Sequence, residues 1–322
     1  MNFKDIKNNF KSELSLVDKF IRENLKSNID LINDISTYVI SFSGKRIRSL
    51  IAILFGKILD YEGYRNTLIS SVMELIHTAT LLHDDVVDLS QKRRNKLTVN
   101  KIWGNKEAIL CGDFLYTRSF QMMVSINNID ILKFMANTTN IMAEGEVNQL
   151  LHKNNVDITK KDYFNIIKAK TAQLFSASAS VNAILSKSDP FFFKAFFNYG
   201  LNFGIAYQLV DDMLDYSSND YRFGKNIGDD IFNGTFTLPL IYIMSHDAKK
   251  KKIIKDIISM GYNKHNFLKI KNIVLSSNAL DYTLKIAIKH ANLAKEALSG
   301  IKKSQYTQMA SYLVDFIINR KY

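Results

Sequence analysis

Two stretches of the chain share one pattern. LLHDDVVD at 81–88 and QLVDDMLD at 208–215 both place aspartates at their fourth, fifth and eighth positions. In a helix Asp84 and Asp88 lie four residues apart and share a face, as do Asp211 and Asp215. Like charges at that spacing repel, so removing one carboxylate should hardly lower thermal stability. Their neighbours are apolar: Leu81, Leu82, Val86 and Val87 in one case, Leu209, Val210, Met213 and Leu214 in the other. Carboxylates on a largely buried helix are costly unless something neutralises them. A hard divalent cation does so, because Mg²⁺ takes one or two carboxylates and completes its octahedron with water and substrate phosphate. One such cluster alone is readily a helix end facing solvent. Two copies, each followed by a long basic loop, are not.

Cations accompany both clusters. Lys92, Arg93, Arg94 and Lys96 follow the first, and Arg222 and Lys225 follow the second. The run GKRIR at 44–48 opens a helix, whose free N–H groups also attract anions. Lys168 and Lys170 precede Thr171 on another helix. Any one of these groups alone reads as a solvated face. Carboxylates and cations together describe a diphosphate–metal site, in which carboxylates hold Mg²⁺, Mg²⁺ holds phosphate oxygens, and Arg or Lys hold the rest.

The elements that must position these groups are helices. Apolar residues recur at helical spacing almost throughout, as in Leu50, Ile53, Leu54 and Ile58. Only 2 Pro and 13 Gly punctuate 322 residues, fewer than a sheet-rich fold needs for its turns. The pattern predicts an all-α, single-domain bundle over 1–322, with roughly ten to twelve helices around a central substrate cavity. Breaks are expected near 43–45, 61–65, 90–104, 127–129, 153–158, 186–190, 217–236 and 261–264. The longest two, 90–104 and 217–236, directly follow the acidic clusters, and loops of that length are usually functional.

Composition narrows the classes further. Hydrophobic residues make up 47%, which excludes general disorder. Lys and Arg exceed Asp and Glu by 43 − 31 = 12, which favours anionic partners. The run Lys249 to Lys252 has no interleaved aromatics, so it reads as a solvated helix end and not as a nucleic-acid site. The single Cys111 rules out a disulfide framework, and its apolar surroundings make it a buried thiol. No stretch approaches the ~20 apolar residues of a membrane span, and the N-terminus lacks the apolar core of a signal peptide. A cytoplasmic location is expected.

Several segments resemble the trans-isoprenyl diphosphate synthases in matched order: HTATLLHDDVVDLSQKRR (77–94), WGNKEAILCGDFL (103–115), AEGEVNQL (143–150), KTAQLF (170–175), GIAYQLVDDMLDY (204–216) and GKNIGDD (224–230). The likeness spans roughly 40–245 and is nearest to the bacterial octaprenyl branch. It implies the isoprenoid synthase fold, a homodimer, and Mg²⁺, three ions per site with substrate bound. Asp84, Asp88, Asp211 and Asp215 would be metal ligands, with Asp85 and Asp212 assisting. Arg93, Lys170, Thr171, Gln208 and Lys225 would hold an allylic diphosphate. Lys45, Arg48, His77 and Arg94 would hold isopentenyl diphosphate, with Arg320 and Lys321 as a basic tail closing over it. Catalysis would rest on Asp84, Asp88, Arg93, Lys170, Asp211 and Lys225. The long polyprenyl product would be delivered to a membrane, with a quinone side chain as its use.

The sequence departs from the family pattern in places. Ser43 and Ser49 flank GKRIR where Gly and Pro are usual, and Asn95 and Leu97 replace the usual Gly and Pro after the first cluster. Thr235 stands where a lysine near the diphosphate is usual. Helix geometry points to a determinant of product length, since one turn advances 5.4 Å, close to one isoprene unit. Residues four and five before Asp84 are the small Thr80 and Ala79. Larger residues follow at Ile76 and Met73, with Phe120 and Met123 as a candidate floor, so a product longer than about twenty carbons and nearer forty is expected.

Three other readings compete with this one. His83-Asp84 matches the core of an HD-type phosphohydrolase, but no His precedes His77 to complete its ligands. A terpene cyclase would not need Lys45, Arg48, His77 and Arg94. A non-catalytic subunit of a heteromeric synthase tends to lose one acidic cluster, and both are present.

Overall fold

The computed structural model describes residues 2–41, 44–217, 228–261 and 263–320. Helices dominate, and among these residues twelve reach twelve residues or longer, which agrees with the all-α expectation. The Gln173–Leu185 helix lies at the centre, buried on nearly every side. Its sequence, QLFSASASVNAIL, explains the position. Small Ala and Ser side chains let the Ile47–Ile58, Tyr64–Val87, Ile129–Leu151 and Pro190–Ser217 helices pack around it. The buried hydroxyls of Ser176, Ser178 and Ser180 donate to carbonyls four residues back at 3.0, 2.8 and 2.8 Å, so none is left unsatisfied.

Two close approaches depend on missing side chains. A Cβ on Gly200 would sit 2.4 Å from the Phe175 carbonyl oxygen, and one on Gly145 would sit 2.7 Å from the Ala169 Cβ. The second contact draws the Ile129–Leu151 helix against Lys168–Ala172, a single π-helical turn. Wide turns of this kind recur at functional sites, and this one carries Lys170 and Thr171.

The break expected at 90–104 is more ordered than a loop. Lys92–Arg93 pairs antiparallel with Lys96–Leu97, and the short helix Val99–Ile102 follows. Arg94 and Asn95 form the turn with φ of 52° and 63°. Two successive positive φ values match a primed hairpin turn, where Asn is favoured beside Gly. Asn95 therefore serves the turn that Gly usually makes. Some breaks escaped the sequence reading because Ser and Asn make them without Pro. Ser27 accepts from Ile29 N–H at 3.2 Å and donates its own N–H to Asn33 at 3.0 Å. Ser277 accepts from Ala279 N–H at 3.2 Å.

Candidate active site

The Tyr64–Val87 helix turns one face to a cleft of about 430 Å³. His77, Thr80, Leu81 and Asp84 lie on that face at three- and four-residue steps, with Asp88 just past the helix end. The Pro190–Ser217 helix supplies Tyr207, Gln208, Asp211, Leu214 and Asp215 to the same cleft. Both acidic clusters thus line one cavity, together with Lys170 and Thr171 on the π-turn and Glu146 and Gln149 on the Ile129–Leu151 helix.

Each carboxylate has a cation or donor. Lys170 Nζ lies 3.2 Å from Asp84, 2.6 Å from Glu146 and 2.7 Å from the Gln149 amide oxygen. Burial alone would lower the Lys170 pKa, but Asp84 and Glu146 raise it above the ordinary lysine range. One ammonium cannot fully compensate two carboxylates, and burial with Asp84 beside it pushes Glu146 up to about 7. Lys153 Nζ is 3.0 Å from Asp88. Arg320 pairs with Asp211 and lies over the Tyr207 ring at 4.3 Å. Asp215 accepts from Gly228 N–H at 2.9 Å.

The middle aspartates play a different part. Asp85 is buried one residue round the helix from Asp84, off the cleft lining, where Arg93 donates to it through Nε at 3.0 Å and Nη2 at 2.7 Å. It therefore positions Arg93, which itself lines the cleft. Asp212 accepts from the Tyr163 hydroxyl and, at 2.8 Å, from Gln208, whose amide oxygen in turn accepts from Thr171 at 2.9 Å. Burial, with Asp230 and Asp211 nearby, pushes Asp212 up to about 8.

The expected isopentenyl diphosphate group is partly assembled in the cleft. Arg48, His77 and Arg94 line it. Arg48 stacks on Phe175 at 4.3 Å, and its buried Nε has no hydrogen-bond partner among the described residues. Burial, with Arg48 and Arg94 close by, holds the His77 pKa well below the usual value, so its imidazole is neutral. Lys45 lies nearby, 5.2 Å over the Phe316 ring, without lining the cleft. Its neighbour Arg46 is structural, paired with Asp18 at 2.8 Å and Glu74 at 3.2 Å. Arg222, Lys225, Lys321 and Ser43 lie outside the described residues.

Of the proposed length determinants, Thr80 lines the cleft and Ala79 is fully buried. Ile76, Met73 and Met123 are fully buried and Phe120 partly so, all in the core and none on the cleft wall. His83 faces the Asn105–Ser125 helix, 3.2 Å from the Ile109 carbonyl and 3.3 Å from Asp113. It does not join Asp84, and the phosphohydrolase reading loses its metal pair. Glu146, Gln149, Lys153, Tyr163 and Tyr207 were not anticipated as site residues. Glu146 and Gln149 carried a signal, a three-residue spacing within AEGEVNQL, as did Tyr207, one turn before Asp211 within GIAYQLVDDMLDY.

Among the described residues no three His, Cys, Asp or Glu side chains stand close enough to hold one ion between them. The donors still fit Mg²⁺, since carboxylate oxygens are hard ligands and Mg²⁺ commonly takes one or two of them with phosphate supplying the remainder. Asp84 and Asp88 on one helix, with Asp211 and Asp215 on another, would hold such ions at the cleft, where they would supply charge neutralisation to a bound diphosphate.

Comparison with known proteins gives the same answer from the whole chain. The polyprenyl synthetase family model matches residues 29–274. Octaprenyl diphosphate synthase of Escherichia coli K12 is 38% identical over 321 residues, covering 99% of both chains. All-trans-nonaprenyl-diphosphate synthase (geranyl-diphosphate specific) of Rhodobacter capsulatus is 35% identical over 96% of this chain and 95% of its own length. Among solved structures, a polyprenyl synthase from Caulobacter crescentus CB15, complexed with calcium and isoprenyl diphosphate, superposes with a TM-score of 0.95. It is 33% identical and covers 100% of this chain and 98% of its own. With matching fold and sequence along nearly its full length, the chain belongs to the polyprenyl synthetase family and is a prenyltransferase.

Proposed function

We propose that the whole chain forms one catalytic unit that condenses isopentenyl diphosphate with an allylic diphosphate, farnesyl diphosphate as starter. The product would be an all-trans polyprenyl diphosphate, octaprenyl, used as a quinone side chain. The observation carrying this reading is that Asp84 and Asp88 from one helix and Asp211 and Asp215 from another line one cleft together with Lys170, Arg93 and Arg48. Mg²⁺ ions, three per site when substrate is bound, would neutralise the departing diphosphate.

The chain's own residues do the rest. Lys170, Arg93, Thr171, Gln208 and Lys225 hold the allylic diphosphate while its C–O bond breaks and the diphosphate keeps the electron pair. Arg48, His77, Arg94 and Lys45 orient isopentenyl diphosphate so that its double bond attacks the allylic carbon and forms the new C–C bond. The proton lost from the adjacent carbon passes to the released diphosphate. No protein nucleophile is needed. Preorganised cations aimed at developing charge are commonly the largest catalytic term.

A homodimer is supported by apolar side chains left exposed on the Asn105–Ser125 and Ile129–Leu151 helices: Ile109, Leu110, Val147, Leu150 and Leu151. Light scattering should then return twice the 36.9 kDa of one chain. No described helix is long and apolar enough to cross a membrane. We place the enzyme in the cytoplasm, handing its product to a membrane. The deciding assay incubates the purified protein with radiolabelled isopentenyl diphosphate, farnesyl diphosphate and Mg²⁺, and resolves products by length. Mg²⁺-dependent all-trans products support the reading, and absence of condensation sinks it.

A further inference from the structure

Residue 235 lines the cleft as a neutral threonine. The backbone beside it is tied to another segment. Asn154 N–H donates to the Gly234 carbonyl at 2.8 Å, and a Cβ on Gly234 would lie 2.0 Å from the Asn154 Oδ1. Gly234 has φ of 71°, which favours glycine in any case. Positions 153 and 235 therefore flank one backbone hydrogen bond. Position 153 carries a charge and position 235 none, and Lys153 Nζ sits 3.0 Å from Asp88.

Lys153 does not itself line the cleft, but like Lys170 and Arg320 it pairs with a carboxylate that does. Asp84 has Lys170, Asp211 has Arg320 and Asp88 has Lys153. With Asp88 holding a metal ion, its charge would be compensated and Lys153 would be free to meet a substrate phosphate. Lysine suits this exchange, since its ammonium is a point charge on a flexible four-carbon stem. A second contact, from Nζ to the Val87 carbonyl at 3.4 Å, is what a cation capping the end of the Tyr64–Val87 helix would make. The test must separate that purely structural role from phosphate binding.

We propose that Lys153 supplies a diphosphate-binding cation across the backbone pair from Thr235, so that the positive charge of this corner of the site comes from the segment after the Ile129–Leu151 helix. The inference rests on the prenyltransferase reading given above and assigns a residue to it.

The experiment measures binding of inorganic pyrophosphate with Mg²⁺ by calorimetry, and KM for each substrate. The proteins are the native chain, Lys153→Ala and the double variant Lys153→Ala/Thr235→Lys. Lys153→Ala should weaken pyrophosphate binding about tenfold, which is ~1.4 kcal/mol. It should raise KM for the allylic diphosphate and leave KM for isopentenyl diphosphate unchanged. Adding Thr235→Lys should restore affinity to within about threefold, and a fourth protein, Thr235→Lys alone, should gain less over the native chain than the double variant gains over Lys153→Ala, as two cations filling one role would. Unchanged affinity in Lys153→Ala overturns the proposal, as does a double variant no better than the single one with both proteins melting like the native chain. A native chain that neither binds pyrophosphate with Mg²⁺ nor condenses substrates overturns the underlying reading instead.

Discussion

Arg320, the last described residue, is ion-paired with Asp211, the first carboxylate of the second acidic cluster, and its side chain is only 1% exposed. The sequence presents the aspartates as mutually repulsive, so that losing one should hardly affect stability. The pairing reverses that expectation for Asp211, because removing it takes away the carboxylate with which a buried guanidinium is paired.

Asp211→Ala should therefore do two things. Turnover should fall by about 10²–10³ or more, as for loss of a group that stabilises developing charge. The melting temperature without substrate should also fall, by an amount equivalent to about 1–3 kcal/mol. That lies below the ~3–5 kcal/mol of a fully buried pair, because Asp211 is itself 34% exposed. Turnover within threefold of native would remove Asp211 from the site.

Metal binding should depend on the diphosphate. No three ligating side chains converge among the described residues, so Mg²⁺ alone would be held by one or two carboxylates and largely by water. Calorimetry should show weak heat with Mg²⁺ alone and strong, saturable binding when pyrophosphate is also present. Tight Mg²⁺ binding without any phosphate would contradict a substrate-bridged arrangement.

Much of this site was legible because its signal is local. Asp84 and Asp88 share a helix face by spacing alone, and the duplicated pattern points to a second wall at Asp211 and Asp215. Thr171 and Gln208 were anticipated singly, but their mutual hydrogen bond at 2.9 Å joins two helices 37 residues apart and exists only in the fold. Lys153 and Tyr163 were invisible for the same reason. Lys153 reaches Asp88 across 65 residues, and Tyr163 meets Asp212 across 49. The roles of Asp84 and Asp85 also divide in three dimensions, since a 100° step around the helix sends one to the cleft and the other to Arg93. Conversely, the Ser27 and Ser277 hydroxyls accept from Ile29 and Ala279 N–H in the breaks just ahead of the next helices, a weaker sequence signal than Gly or Pro.

His77 should reveal its anion site through pH. Burial and the nearby Arg48 and Arg94 depress its folded pKa, whereas the unfolded chain takes up a proton near the usual ~6.5. The unfolded state then binds more protons below that value, so stability falls as pH drops through ~6.5 and downward. His77→Gln should flatten this part of the stability profile. Isopentenyl diphosphate brings negative charge to the same arginines and should raise the His77 pKa, read by NMR of the imidazole. An ordinary pKa, unmoved by the ligand, would place His77 outside the diphosphate site.

Product length gives the last prediction. Thr80 lines the cleft one turn before Asp84, and its hydroxyl donates to the His77 carbonyl at 2.9 Å. A hydrocarbon tail anchored by its diphosphate at Asp84 and Asp88 runs past Thr80 within one 5.4 Å turn, about one isoprene unit. An aromatic ring at this position would stop growth near the starter. Thr80→Phe should therefore keep condensing while its main product shortens from around forty carbons to about fifteen or twenty. Ala79→Tyr tests the same wall from a harder place, because Ala79 is fully buried in the core. A large side chain there costs about 1–3 kcal/mol of overpacking unless it swings into the channel. A stable Ala79→Tyr protein with shorter products would mean that the ring has entered the tail's path. Thr80→Phe and Ala79→Tyr both active with unchanged products would show that the tail leaves the cleft elsewhere, along the wall formed by Met142 and Leu174.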